Sequence, residues 1–323
     1  VHPPDYSGSG TGSVTVSVQQ GDTASDIAAR LHKAAVVKSD RAFVDAARNN
    51  PKSQNIQPGT YVLHQHMSAS SALRLLLDPS ARSAAGDVVV TEGATSFDVQ
   101  KRLTQVLGAD KEGVVSKAIS DVAALGIPLG YGPDSGTPAS VEGFLYPATY
   151  SIDPTESPQS ALQKMTSRFA DADRSSGFAA DAKKLGISPY QALIIASIAQ
   201  SEAKYPEDMA KVARVILNRI ADGRPLQIDA TSAYAAKTQD LDPTKIVFAT
   251  IDSPYNTYTH AGLPPTPISN PGADALTAAV HPANGDWLYY VNSDSAGHLF
   301  FTASESAFQQ AADKCRVHQW GCG

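Results

Sequence analysis

Long apolar runs are missing from this 323-residue sequence: none approaches the about 18 residues of a membrane-spanning helix. Blocks of Lys and Arg are missing too. The 26 basic residues are scattered among 32 acidic ones, for a formal net charge of −6. That distribution argues against a nucleic-acid footprint and against attraction to an anionic membrane surface. HExxH, the P-loop signature, GxGxxG after a strand and the GxSxG elbow are all absent. His64 and His66 alternate along a predicted strand, as metal ligands can, but no third ligand lies near them in sequence. They read as surface-strand residues, and no metal or organic cofactor is expected. Cysteine is scarce and late. Cys315 and Cys322, within CRVHQWGCG, read as a small disulfide loop rather than a metal site, because CxxC spacing is missing although His318 lies between them. A disulfide favours an extracytoplasmic location. The opening stretch VHPPDYSGSGTGS lacks the apolar core of a signal peptide, and residues 1–12 read as a flexible linker.

What is present suffices for two or three modules, with 42% apolar residues over this length. The first third contains an echo. Val16-Ser17-Val18 leads through Gly21-Asp22-Thr23 into Asp26 to Leu31, and Val88-Val89-Val90 leads through Gly93-Ala94-Thr95 into Asp98 to Leu103. Each copy reads as a strand, a Gly turn, a Thr or Ser N-cap and an amphipathic helix. Between the copies come a helix near Ala42–Arg48, the strand-like Thr60 to Leu63, and a helix from Ser68 to Leu77. Ala81 to Gly86 reads as a boundary, and Gly126 to Pro138 as a loop. Helices are expected from Ser188 to about Ala203, from about Glu207 to Ile220 and from Ala273 to Val280. Strands are expected at Trp287–Val291 and near His298–Phe301, and the whole chain reads as α+β.

One helix carries the candidate chemistry. Ser188 fits the N-cap, Pro189 the first turn and Gln191 the third position of a capping box. Ile194, Ile198 and Glu202 then recur every four residues, so Glu202 continues the core-facing stripe. A carboxyl in such a setting has its charged form disfavoured and can serve as a general acid. The alternative is a Glu snorkelling at the helix end, or paired with Lys204, Lys211 or Arg214. Downstream, Gly223 to Thr231 is a polar turn able to return Gln227 and Asp229 toward this helix. Ser253-Pro254-Tyr255-Asn256-Thr257-Tyr258 combines rings with amides and hydroxyls, as sugar clefts do, or else is an ordered surface loop stiffened by prolines.

Five segments, in order, resemble the endolytic murein transglycosylase, or YceG-like, family. They are Glu142-Gly143-Phe144-Leu145-Tyr146-Pro147, Ala196 to Glu202, Asn218-Arg219 with Pro225 to Thr231, Ser253 to Tyr258 continuing through Gly262-Leu263-Pro264-Pro265 to Asn270-Pro271-Gly272, and Gly297-His298 with Phe300. The resemblance covers about residues 87–310. The segment before it, residues 13–82, resembles a LysM module, a small βααβ fold that binds N-acetylated glycan; a packing module without ligand is the equal alternative. Residues 311–323 remain as a tail with the disulfide loop. The expected architecture is thus a LysM-like module followed by a mixed α+β YceG-like catalytic domain.

The resemblance implies cleavage of peptidoglycan glycan strands between N-acetylmuramic acid and N-acetylglucosamine, without water. One carboxyl protonates the glycosidic oxygen, and the muramic C6 hydroxyl attacks C1 to leave a 1,6-anhydro end. Where the family usually carries two glutamates this chain has Gln200 and Glu202, so Glu202 is the expected acid and base. Gln227, Asp229, Ser253, Tyr255, Asn256 and Tyr258 would line the cleft, and His298 would stand behind it. Glu142 would orient groups in the site or hold a loop by accepting backbone N–H bonds. Ala148, Thr266 and Ala230 depart from the family's usual Asp, Gly and Pro. The resemblance further implies an N-terminal membrane anchor absent from this chain, action on the outer face of the bacterial cell membrane, and cell-wall synthases as partners. A non-catalytic glycan-binding scaffold and a muramidase-type hydrolase remain alternatives.

Overall fold

The computed structural model describes residues 3–19, 21–83, 86–132, 136–242, 245 and 247–322. The first two residues of the expected linker, Ala84-Ala85 of the expected boundary and Pro133–Ser135 of the expected loop lie outside them. In chain order the elements are β1 (Ser9–Val18), α1 (Ala24–Lys33), α2 (Asp40–Arg48), β2 (Gly59–Met67), α3 (Ala69–Leu76), β3 (Arg82–Ser83), β4 (Asp87–Val90), α4 (Ser96–Leu107) and α5 (Glu112–Ser120). There follow β5 (Ala148–Ser151), α6 (Pro158–Ser176), α7 (Phe178–Leu185), α8 (Pro189–Glu202), α9 (Pro206–Ala221), α10 (Asp229–Thr238), α11 (Ala273–Val280), β6 (Tyr289–Asn292), β7 (Leu299–Thr302) and α12 (Glu305–His318). No helix among the described residues is long and apolar enough to cross a membrane.

The chain forms two compact units that are not consecutive in sequence. The first takes residues up to Val89 together with Lys101–Gly113 and Thr149–Ala161, and the second takes the remainder. A single boundary between 82 and 87 does not describe this division, because two later segments return to the first unit. Ile152 N–H, for example, donates to Gly86 O at 2.8 Å.

In the first unit β1 and β2 pair antiparallel, with Val14 opposite Leu63 and Val18 opposite Gly59, and β3 adds to β2 through Tyr61 and Arg82. Alternation along β1 turns Val16 and Val18 into a core shared with Ile27 and Leu31 of α1, Phe43 of α2, and Leu63 and Met67 of β2. Thr23 caps α1 in a reciprocal capping box with Asp26, which explains why Thr and Asp sit three residues apart there. The same Thr-x-x-Asp arrangement recurs at Thr95 and Asp98 before α4, so the sequence echo is an echo of helix starts.

The linker expectation needs correction. Ser9 to Gly12 belong to β1, with Ser9 opposite Met67 and Thr11 opposite Gln65. A Cβ at Gly10 would stand 2.3 Å from Gln65 O, so this edge accepts only glycine. Further back, Ala69 N–H donates to the Asp5 carboxylate at 3.0 Å.

The second unit is built round α8. Ser188 and Gln191 form the expected capping box, with Ser188 N–H to Gln191 Oε1 at 2.9 Å. The helix is buried at every position from Ala192 to Ala199, not along one stripe, so it is the unit's central helix. It packs against α7, α9 and α11. At its N-terminal end Phe144 joins Tyr131 and Phe169 in an edge-to-face aromatic cluster, with centroids 5.1 to 5.5 Å apart. β6 and β7 form an antiparallel hairpin, Tyr290 opposite Phe301, against which α12 packs.

Candidate active site

Glu202 is the last residue of α8, half-buried at the edge of a cleft of about 520 Å³. Its two oxygens are used differently. Oε1 accepts the Ala230 N–H at 3.2 Å and Oε2 accepts the Tyr290 hydroxyl at 2.9 Å. Burial holds the carboxyl above the usual carboxylate range; the Tyr290 and Ala230 donors oppose that shift, and the nearby Asp229 charge adds to it. The cations that could have neutralised it are engaged elsewhere. Lys204 donates to Ala296 O, Lys211 to Asp208, and Arg214 to Ala283 O.

The return of the chain to Glu202 depends on a strained turn. Gln227 has φ +55°, in the left-handed region that non-glycine residues avoid. Thr257 holds it there: its carbonyl accepts Gln227 N–H at 3.0 Å and its hydroxyl accepts Ile228 N–H at 3.0 Å. The turn delivers Asp229 as the first residue of α10 and points the next N–H at Glu202. Asp229 in turn accepts the Tyr258 hydroxyl at 2.6 Å. Buried Arg219 of α9 braces the same region, donating to Pro225 O (2.9 Å), Leu288 O (2.8 Å) and Gln227 Oε1 (2.6 Å). Burial pushes its pKa down from the arginine value, and three acceptors compensate.

Of the residues expected from the sequence, Glu202, Gln227, Asp229 and Tyr258 line this cleft together. Ser253, Tyr255, Asn256, Glu142 and His298 are not among its lining residues. Asn256 is fully buried and spends its side chain on the loop itself, donating to Ile251 O at 2.8 Å and accepting Tyr258 N–H at 3.0 Å. Ser253 accepts Tyr255 N–H at 3.3 Å, and the Tyr255 hydroxyl lies 2.8 Å from that of Thr266. These three shape the loop that carries Thr257 and Tyr258. His298 stacks on Tyr205 at 4.2 Å and pairs with Asp294 at 2.8 Å. It thereby ties the hairpin tip to Tyr205 at the α8–α9 junction and does not line the cleft.

Glu142 is fully buried away from the cleft. It accepts the Ser96 N–H at 3.0 Å, the Ser96 hydroxyl at 2.7 Å, the Tyr234 hydroxyl at 2.9 Å and the Asn270 amide at 3.1 Å. Burial outweighs these donors and pushes its pKa up to about 7. Asn270 also accepts Gly143 and Leu145 N–H at 3.0 and 2.9 Å and donates to Ala94 O at 2.8 Å. Glu142 and Asn270, far apart in sequence, form one scaffold knot.

Sequence reasoning missed Tyr290, Tyr289 and the whole of α12. Tyr290 lay within an expected strand whose ring and hydroxyl carried no motif of their own. The last residues are no tail: α12 and the loop closed by the Cys315–Cys322 disulfide form one side of the cleft. Among the described residues no group of three or more His, Cys, Asp or Glu side chains is placed to hold a metal ion.

The YceG-like family profile matches residues 16–314, which includes the first unit as well as the second. An endolytic murein transglycosylase of Bacillus subtilis (strain 168) is 31% identical over 93% of this chain and 84% of its own length. One from Streptococcus pneumoniae (strain D39) is 27% identical over 90% of the chain; the chain spans 56% of that relative. In structure, the chain resembles a Listeria monocytogenes protein described as YceG-like, with TM-score 0.61 and 25% identity over 92% of this chain and 98% of that one.

Proposed function

We propose, from the premise that the chain belongs to the YceG-like family, that it is an endolytic lytic transglycosylase of peptidoglycan glycan strands with Glu202 as acid and base. The observation that carries this reading is the Glu202 carboxyl, held toward its protonated form, opening on a cleft lined also by Tyr258, Tyr289, Tyr290, Gln227, Asp229, Glu305 and buried Arg219. Glu202 gives its proton to the glycosidic oxygen as the C1–O bond breaks. The muramic C6 hydroxyl then bonds to C1 and returns its proton to Glu202, leaving a 1,6-anhydro end and a regenerated acid. Since the nucleophile belongs to the substrate, one carboxyl suffices, unlike the two of ordinary glycosidases. The Ala230 N–H and Tyr290 hydroxyl fix the carboxyl's orientation and stabilise it in its ionised phase.

Glu202→Gln is expected to keep the fold and lose all anhydro-muramoyl product from purified glycan strands, read by mass spectrometry. A reducing end heavier by one water, about 18 Da, would instead identify a hydrolase. Normal anhydro product from the variant would sink the assignment.

The first unit is proposed to be LysM-like, supported by its strand–helix–helix–strand order and its capped Gly-Asp-Thr turn. Action outside the cytoplasm, supported by the disulfide, anchoring by a preceding segment and work beside the synthases that make the strands belong to the same proposal.

A further inference from the structure

We propose that α12 and its disulfide loop are a substrate-binding wall of the Glu202 cleft, taking N-acetylated sugar units of the strand remote from the bond cleaved. This rests on the glycan-cleaving reading above. The resemblance seen in the sequence ends within α12, at about residue 310, and the cysteine pair is not part of the family pattern. Three observations carry the inference.

The first is periodicity. Glu305, Phe308, Gln309, Ala312 and Arg316 all line the cleft, and their spacing puts them on one helix face. Along that face an apolar centre, Phe308 and Ala312, is flanked by the exposed polar side chains of Glu305, Gln309 and Arg316. Rings bordered by hydrogen-bonding groups suit pyranose faces and their hydroxyl and acetamido edges.

The second is continuity with the chemistry. Phe308 stacks on Tyr289 with ring centroids 5.2 Å apart, and Arg219 lies 5.5 Å above the same Tyr289 ring. Tyr289 adjoins Tyr290, which holds Glu202. A single strand thus joins the wall to the acid.

The third is how the wall is held. α12 ends at Gln319 with φ +56°, a left-handed turn that reverses the chain toward β6. Asn292 of β6 receives the reversed segment, donating to Trp320 O at 3.2 Å and Gly321 O at 2.8 Å. The disulfide then ties Cys322, itself part of the cleft lining, to fully buried Cys315. Besides the Asn292 bonds, the reversed segment is held by Trp320, which stacks on His318 at 4.6 Å and donates its main-chain N–H to Cys315 O at 3.3 Å. The disulfide adds a covalent tie between this cleft-lining segment and α12.

The test measures binding by the catalytically silent Glu202→Gln protein, by calorimetry, with peptide-free glycan strands of two lengths. Adding Cys322→Ser, or Gln309→Ala with Arg316→Ala, should weaken binding of long strands about tenfold. Binding of the shortest cleavable fragment should change little. Equal affinity for long strands with and without these changes overturns the wall. If thermal melting shows that Cys322→Ser has lost the fold, the double alanine variant decides alone. Product from the wild-type protein is assayed separately. Wall-dependent binding without anhydro product overturns the functional reading and leaves the wall in place.

Discussion

Tyr290 and Asp229 act on the Glu202 carboxyl in opposite senses. The Tyr290 hydroxyl donates to it and favours the ionised form, whereas the Asp229 charge disfavours that form. An acid that must be protonated to start the reaction loses activity as pH rises through its pKa. Tyr290→Phe should therefore move the alkaline limb of the pH–rate profile upward and lower kcat about tenfold through lost orientation. Asp229→Asn should move the same limb downward. Initial rates of anhydro product across pH check both, and shifts of the same sign in the two variants would refute the pairing. Only part of this was legible. The four-residue spacing picked out Glu202, but Tyr290 comes from a strand 88 positions away in sequence and bears no local signal.

The elements most visible as motifs turned out to hold the scaffold. Glu142-Gly143 and Asn270-Pro271-Gly272 look functional as sequence because they are dense in Gly, Pro and polar groups. In the structure that density serves buried turns, whose N–H groups need partners. Gly143 has φ +91°, and a Cβ there would meet Pro267 at 2.7 Å. Helix starts were the most legible feature, since caps are local chemistry; α12 was missed because its cleft-facing residues mix polar and apolar types. Glu142 gives this knot a pH dependence. With its pKa pushed up to about 7, the folded chain keeps a proton that the unfolded chain releases near its ordinary value. Stability from this group is thus complete below that ordinary value and declines as pH rises to about 7, by at most about 3 kcal/mol. Glu142→Gln should flatten the decline, measured as urea midpoints at the two ends of the window. A slope unchanged by the substitution would refute the attribution.

At the scale of the whole molecule, the interleaved division has a practical result. A chain cut to residues 87–323 leaves Lys101–Gly113 and Thr149–Ala161 without the unit they belong to. It should unfold at lower urea than the intact chain, or aggregate, by circular dichroism. Equal midpoints would show that the two segments are dispensable. Fully buried Glu142 and half-buried Glu202 also meet helix ends in different ways. Glu142 meets the first N–H of α4, where aligned peptide dipoles leave partial positive charge. Glu202 ends α8, where the same alignment leaves partial negative charge. Helix polarity thus favours the anion of Glu142, whereas at Glu202 the α8 C-terminus opposes the anion and the first turn of α10, reached through the Ala230 N–H, favours it, each by about 0.3–1 kcal/mol. Direction of the main chain thus acts on both carboxyls, from one helix end at Glu142 and from two opposed ends at Glu202.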